Sequence, residues 1–196
     1  MIAMVDALPL PHRRQGLAAS LAYEAPLVLA GSALIAASAW IALPLPFSPV
    51  PVTAQTFAVL LVGSVLGARR GAAAAIAYLA EGSFGLPVFA GPSAGVHVLA
   101  GPTGGYLAGF VAGATLCGAL AERGWDRRVS TTIASMALGN VLILAPGLLW
   151  LARFVGSERV LALGLFPFLP GDVVKIAAAA ALLPLGWKLI ASLRAR

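Results

Sequence analysis

Charge is what this sequence has least of. Its 13 Lys and Arg and 7 Asp and Glu make up 10% of 196 residues, against about 25% in a soluble domain. With 60% hydrophobic residues and a mean hydropathy of +0.95, that shortage excludes a soluble globular class and points to the lipid bilayer as solvent. The apolar runs are continuous and lack the period-2 alternation of outer-membrane strands, which excludes a barrel. Cysteine is reduced to Cys117, so an intrachain disulfide and a multi-cysteine metal site are excluded. Cys117 sits in an apolar run and reads as a small packing residue. Histidine is limited to His12 and His97, and the acids are scattered. The His, Cys or carboxylate cluster of an enzyme is therefore missing. No glycine-rich loop ends in Gly-Lys-Ser/Thr, so the chain does not itself hydrolyse ATP. The first 20 residues hold Pro9 and Pro11 and lack the apolar core of a cleavable signal peptide. They read as a short cytoplasmic lead-in.

What is there falls into six hydrophobic segments, at about 26–43, 53–66, 71–80, 104–120, 131–152 and 173–193. A spanning helix needs about 20 residues. The second segment is short. The third is shorter, and is either a span continued towards Phe84 or a tilted or re-entrant element. Basic residues order the segments. With both termini inside, Arg13, Arg14, Arg69, Arg70, Arg123, Arg127, Arg128, Lys188, Arg194 and Arg196 are all cytoplasmic. Arg153 and Arg159 are outside, and Lys175 stands at a span entrance. This is the positive-inside pattern. The expected fold is an all-α integral membrane protein, a six-helix transmembrane bundle with N-in, C-in topology. It forms one membrane domain over 1–196, with 1–22 as lead-in and the spans within about 25–193. The net charge of +6 is spread in small clusters, so it reads as topology and excludes nucleic acid as a partner.

The outer connections are rich in turn residues. Pro44, Pro46, Pro49 and Pro51 fall in the first, and glycines and prolines crowd residues 82–105, with His97 but no charge. Proline fixes φ and glycine permits close approach. Such apolar loops are expected to be structured extracellular lids over the bundle.

A charge at the centre of a membrane helix costs roughly 2.5–3.5 kcal/mol on insertion scales, which singles out Asp172 and Lys175 at the start of the last segment. At i and i+3 they share a helix face. An acceptor-only carboxylate beside a donor-only ammonium suits a small ligand with both donors and acceptors. Taken separately, Asp172 after Pro-Gly is a good N-cap, and Lys175, opposed by the helix dipole, snorkels outward. A shared binding role accounts for both. Thr53 and Thr56 flank Gln55 at the start of the second segment. Thr53 caps the helix and Thr56 bonds back to its own backbone. Gln55 is either helix–helix glue or a ligand contact. Tyr106 offers a ligand an aromatic face with a hydroxyl tip, or belongs to an interfacial belt. The glycines around it bring backbone close to a ligand or a neighbouring helix. Asn140 bonds another helix or a ligand, and Glu81 reads as a solvated helix end. In the first segment, Ala33 and Ala37 are spaced four apart, as are Ser32 and Ala36. Such small-residue faces admit another helix closely, from this chain or from another subunit.

Four motifs in order resemble the BioY family, the biotin-specific S components of energy-coupling factor (ECF) transporters. They are Pro-Val-Pro-Val-Thr-Ala-Gln-Thr at 49–56, Gly-Leu-Pro-Val-Phe-Ala-Gly at 85–91, Gly-Pro-Thr-Gly-Gly-Tyr-Leu-Ala-Gly-Phe at 101–110 and Pro-Phe-Leu-Pro-Gly-Asp-Val-Val-Lys at 167–175. The likeness runs from about residue 25 to 190. It implies a six-helix protein of a prokaryotic cell membrane that binds biotin from outside, with no cofactor. It implies substrate-binding roles for Asp172 and Lys175, and also for Asn140, Tyr106, Gln55 and Thr53. It further implies docking of a transmembrane T component on the Ala33 and Ala37 face, with two ATPase subunits completing the complex. Biotin offers two ureido N–H donors, one carbonyl acceptor and a valerate carboxylate. Asp172 would accept from the ring, and Lys175 would serve the carbonyl or counter the carboxylate. The chain departs from the pattern at Leu144 and Pro146, where a tyrosine is expected. An S component for another water-soluble vitamin, such as thiamine or riboflavin, is the alternative.

Overall fold

The computed structural model describes residues 2–8 and 17–194; His12, Arg13, Arg14 and Arg196 lie outside them. Six helices form the bundle: α1 (Leu17–Ala39), α2 (Gln55–Leu66), α3 (Ala68–Ser83), α5 (Gly104–Glu122), α6 (Val129–Val155) and α8 (Leu169–Arg194). Two helices of five residues, α4 (Val96–Ala100) and α7 (Val160–Gly164), lie in the connections. Strands β1 (Ala42–Leu43) and β2 (Val52–Thr53) pair antiparallel, which makes the α1–α2 connection a hairpin. Helix α5 is the hub, packed on α2, α3 and α6, while α1 covers α2 and α3 and α8 leans on α6.

Among the described residues, four helices are long and apolar enough to cross a membrane: α1, α5, α6 and α8. Helix α2 is apolar but shorter. Helix α3 has 16 residues, or about 24 Å of rise. It outruns the expected 71–80 because Arg69, Arg70 and Glu81 end the apolar run without ending the helix. Helix α1 likewise begins at Leu17, ahead of the expected residue 26, with Pro26 inside it. Residues 3–7 pack on the bundle as well. Ala3, Val5 and Ala7 are buried, and Arg70 donates to Asp6 at 2.8 Å and to Glu24 of α1.

Glycine sets how closely the hub is approached. Gly105, Gly109 and Gly113 recur every four residues along α5 and face α6. A Cβ at Gly105 would lie 2.4 Å from the Pro146 carbonyl oxygen, and one at Gly109 would lie 2.8 Å from the Ile143 Cα. Pro146 has no N–H for the Leu142 carbonyl, and that carbonyl oxygen would be 2.9 Å from the Gly109 Cβ. Helix α6 nonetheless stays continuous through its proline, and the bare Gly109 lets α5 pack against this stretch of it. Between α2 and α3 the only residue is Gly67, whose φ of +88 is open to glycine. Glu122 of α5 then caps α3, accepting from the Ala68 amide at 2.9 Å. The close contacts resolve the glycine motif in favour of a neighbouring helix. Cys117 is fully buried, donating to the Ser135 carbonyl at 3.3 Å.

Gly109→Ala should lower the thermal midpoint in detergent by about 3–10 °C, as overpacking costs about 1–3 kcal/mol. Gly171→Ala, whose added Cβ would meet nothing nearer than 3.8 Å, should leave that midpoint unchanged.

Candidate functional site

At one end of the bundle the connections enclose a cavity of about 210 Å³. A single water needs only about 10–15 Å³. The β1–β2 hairpin supplies Pro49 and Val50 to the wall, and aromatic rings supply much of the rest: Phe89, Tyr106, Phe110 and Phe168. Each wall is pinned. Ser48 donates to the Leu163 carbonyl at 2.7 Å, tying the hairpin to α7. The Tyr106 hydroxyl donates to the Gly164 carbonyl at 2.9 Å, tying α5 to the same turn. Phe89 is buried against Gly82, where a Cβ would fall 2.2 Å from its ring, and meets Tyr78 edge-on at 5.5 Å.

The floor is polar and charged. Asp172 is only 5% exposed, so its carboxylate must be met by donors. Asn140 of α6 donates Nδ2–H to Oδ2 at 2.8 Å. Lys175 donates from Nζ to Oδ1 at 3.2 Å and to the Thr56 hydroxyl of α2 at 2.8 Å. One acid thus draws together α2, α6 and α8. The arrangement leaves Lys175 a third N–H, and each Asp172 oxygen, though already engaged once, keeps a further acceptor site; both residues line the cavity. The Asn140 carbonyl oxygen is buried and has no hydrogen-bond partner among the described residues.

The cavity brings together Thr53, Gln55, Tyr106, Asp172 and Lys175 of the residues expected from sequence. Asn140 stands behind Asp172, on a smaller pocket of about 10 Å³, so it links helices and does not line the main cavity. Several expectations are corrected. Asp172 is no N-cap, because α8 begins at Leu169 and the Asp172 amide donates to the Phe168 carbonyl at 2.9 Å. Lys175 is held inward and does not snorkel. Thr56 accepts from Lys175 and does not bond back to its own helix. The N-cap position of α2 is Ala54, but the Thr53 hydroxyl still serves the helix start, accepting from the Gln55 backbone N–H at 3.3 Å while donating to the Gln55 side-chain Oε1 at 3.2 Å. Gln55 also donates to the Tyr78 hydroxyl, which makes it α2–α3 glue on the cavity wall. Tyr106 is buried and is no belt residue. Its hydroxyl is committed to Gly164, so the cavity receives its ring, which stacks on Phe168 at 6.1 Å. Glu81 is not a solvated end, since it accepts from the buried Ser32 hydroxyl at 2.6 Å.

Leu144 lines the cavity one turn beyond Asn140, giving an aliphatic wall where the resemblance leads one to expect tyrosine. The two small-residue faces of α1 part company. Ser32 is buried, while Ala33 and Ala37 are exposed, and α1 supplies no residue to the cavity lining. Thr56, Phe89 and Phe168 were not marked in advance as cavity residues. Thr56 lies next to Gln55 in sequence, but nothing in its spacing announces a bond to a residue 119 positions away.

The comparisons agree on a family. The model of the BioY family matches residues 13–192. The biotin transporter BioY of Thermotoga maritima is 42% identical over 150 residues, covering 76% of this chain and 86% of its own. That of Rhizobium etli is 41% identical over 146 residues, covering 70% of this chain and 78% of its own. In fold, the chain is similar to the crystal structure of the S-component for biotin from an ECF-type ABC transporter. The TM-score is 0.73 at 23% identity, over 85% of this chain and 92% of that one.

Asn140→Leu removes a donor from a buried carboxylate and should cost about 1.5–3 kcal/mol of stability, whereas Tyr106→Phe should cost about 0.5–1.5 kcal/mol. Thermal unfolding without added ligand ranks the two.

Proposed function

The chain belongs to the BioY family, and on that premise we propose that it binds biotin and takes it up across a prokaryotic cell membrane as the S component of an ECF transporter. It is a transporter subunit and not an enzyme. The observation that carries the reading is the cavity itself: a floor of one carboxylate and one ammonium under walls of aromatic rings. Biotin has a polar ureido ring, an apolar thiophane and a charged tail. The ureido N–H groups donate to Asp172 and the ureido carbonyl accepts from the remaining N–H of Lys175. The thiophane lies among Phe89, Tyr106, Phe110 and Phe168. The carboxylate points to the loops, away from the charge of Asp172. Asn140 and Thr56 act on the ligand through the two residues they hold. Such a site discriminates by penalty, because an analogue without the ureido groups leaves buried charges unmet.

In this reading all six bundle helices cross the bilayer, α2 and α3 as a short hairpin. Both termini are cytoplasmic and the cavity opens outside. The crowding of basic residues at the end opposite the cavity supports that orientation. The exposed Ala33 and Ala37 face of α1 receives the T component, since small residues let a partner helix approach closely. Two ATPase subunits supply the energy that this chain has no motif to harvest.

Calorimetric titration of the purified protein should give a biotin dissociation constant below about 1 μM. Asp172→Asn and Lys175→Ala should each weaken it by about 10–100-fold, matching the worth of hydrogen bonds to charged groups. Tighter binding of thiamine or riboflavin than of biotin would overturn the assignment. Replacing Ala33 and Ala37 together by Leu should abolish co-purification with the T component while leaving the biotin titration unchanged.

A further inference from the structure

The end of the bundle opposite the cavity carries a second organised cluster. Between α5 and α6 the chain turns through Gly124 and a 3-10 turn, Trp125–Arg127. Asp126 points inward. It is 2% exposed, and its Oδ2 accepts from the Trp187 indole N–H of α8 at 2.6 Å. Arg127 lies over the same indole, 4.3 Å from the ring centroid. Thr131 and Thr132 both donate to the Trp125 carbonyl, at 2.6 and 3.2 Å, and hold the turn on α6. The rigid turn presents Arg123, Arg127 and Arg128 outward, and Lys188 follows Trp187 on α8; all four are exposed. Asp126 attracts Arg127 but is turned inward onto Trp187, and Glu122 caps α3, so among the described residues neither carboxylate forms an ion pair with the exposed cations. The cluster lies at the ends of three helices long and apolar enough to cross a bilayer. Indoles favour the depth of the headgroups, and guanidinium forks match phosphate oxygens. The membrane surface is therefore the nearest source of the missing anions.

We propose that the α5–α6 turn, with Lys188 of α8, binds the phosphate headgroup of an anionic phospholipid, and that Trp187, fixed by Asp126, positions Arg127 for it. To test this, the full chain in phosphatidylcholine nanodiscs is titrated with phosphatidylglycerol, and retained lipid is counted by native mass spectrometry. Wild type should retain phosphatidylglycerol in preference to phosphatidylcholine, and salt should weaken the preference. The variant R127Q/R128Q/K188Q should lose about a hundredfold in that preference, at about fivefold for each basic residue near anionic headgroups. Its thermal midpoint in pure phosphatidylcholine should fall by only a few degrees, for the lost Arg127–indole contact, since all three side chains are otherwise exposed. W187F keeps Arg127, Arg128 and Lys188 while taking the indole N–H from Asp126, and should show a partial loss; full retention would remove the positioning role. Equal retention by wild type and the triple variant overturns the proposal. So does equal stabilisation by inorganic phosphate alone, which would make a free anion the ligand. Unchanged lipid retention with lost assembly onto the partner subunits would make the surface a protein-docking face instead, and also overturns it.

Discussion

A carboxylate taken out of water must be met by donors, and the Asp172 carboxylate is met by Asn140 of α6 and by Lys175 from the next turn of its own helix. That requirement organises the cavity end of the molecule. Asn140 must come from α6, Lys175 must fold back along α8, and Thr56 must come from α2 to hold the ammonium. Leaving any of them out strands a charge in a medium that does not solvate it. The constraint reaches further than the site. Asn140 is correctly placed only because α6 lies close against α5, and α6 lies close only because Gly105, Gly109 and Gly113 leave room for its backbone. The glycine seam and the charged floor are parts of one arrangement.

The walls serve a different end. They are held by hydrogen bonds from side chains to carbonyls of the connections: Ser48 to Leu163, Tyr106 to Gly164 and Trp150 to Gly101. The acceptors lie in the short helix α7 and in the turn before α5. Connections are generally less stable than the helices they join, so the floor is rigid while its cover has few anchors to release. Such a division fits a binding protein that must admit and later surrender its ligand. The opposite end of the bundle is fixed more heavily, by the Arg70 ion pairs and the Asp126 to Trp187 bond.

Much of this was legible in the chain. Scarce charge and long apolar runs announced membrane helices, and the i, i+3 spacing of Asp172 and Lys175 put them on one face. What escaped was non-local. Apolar runs locate spans but not helix ends, so α3 and α8 each extend past the expected limits through residues that are charged or turn-forming yet helical in context. The partners of Thr56, Tyr106 and Glu81 are not legible in sequence because each hydroxyl or carboxylate has a plausible local use, and only the packed structure brings Lys175, Gly164 or Ser32 within reach. Asn140 was ambiguous in sequence for the same reason. Its partner lies 32 residues away, on another helix.

The most direct test is a crystal structure of the protein with biotin bound. The charged floor predicts the ureido nitrogens within hydrogen-bond distance of the Asp172 carboxylate, the ureido oxygen near Lys175, and the valerate among the loops. A ligand bound with its carboxylate on Lys175 and its ring at the loops, or seated outside the cavity, would contradict it.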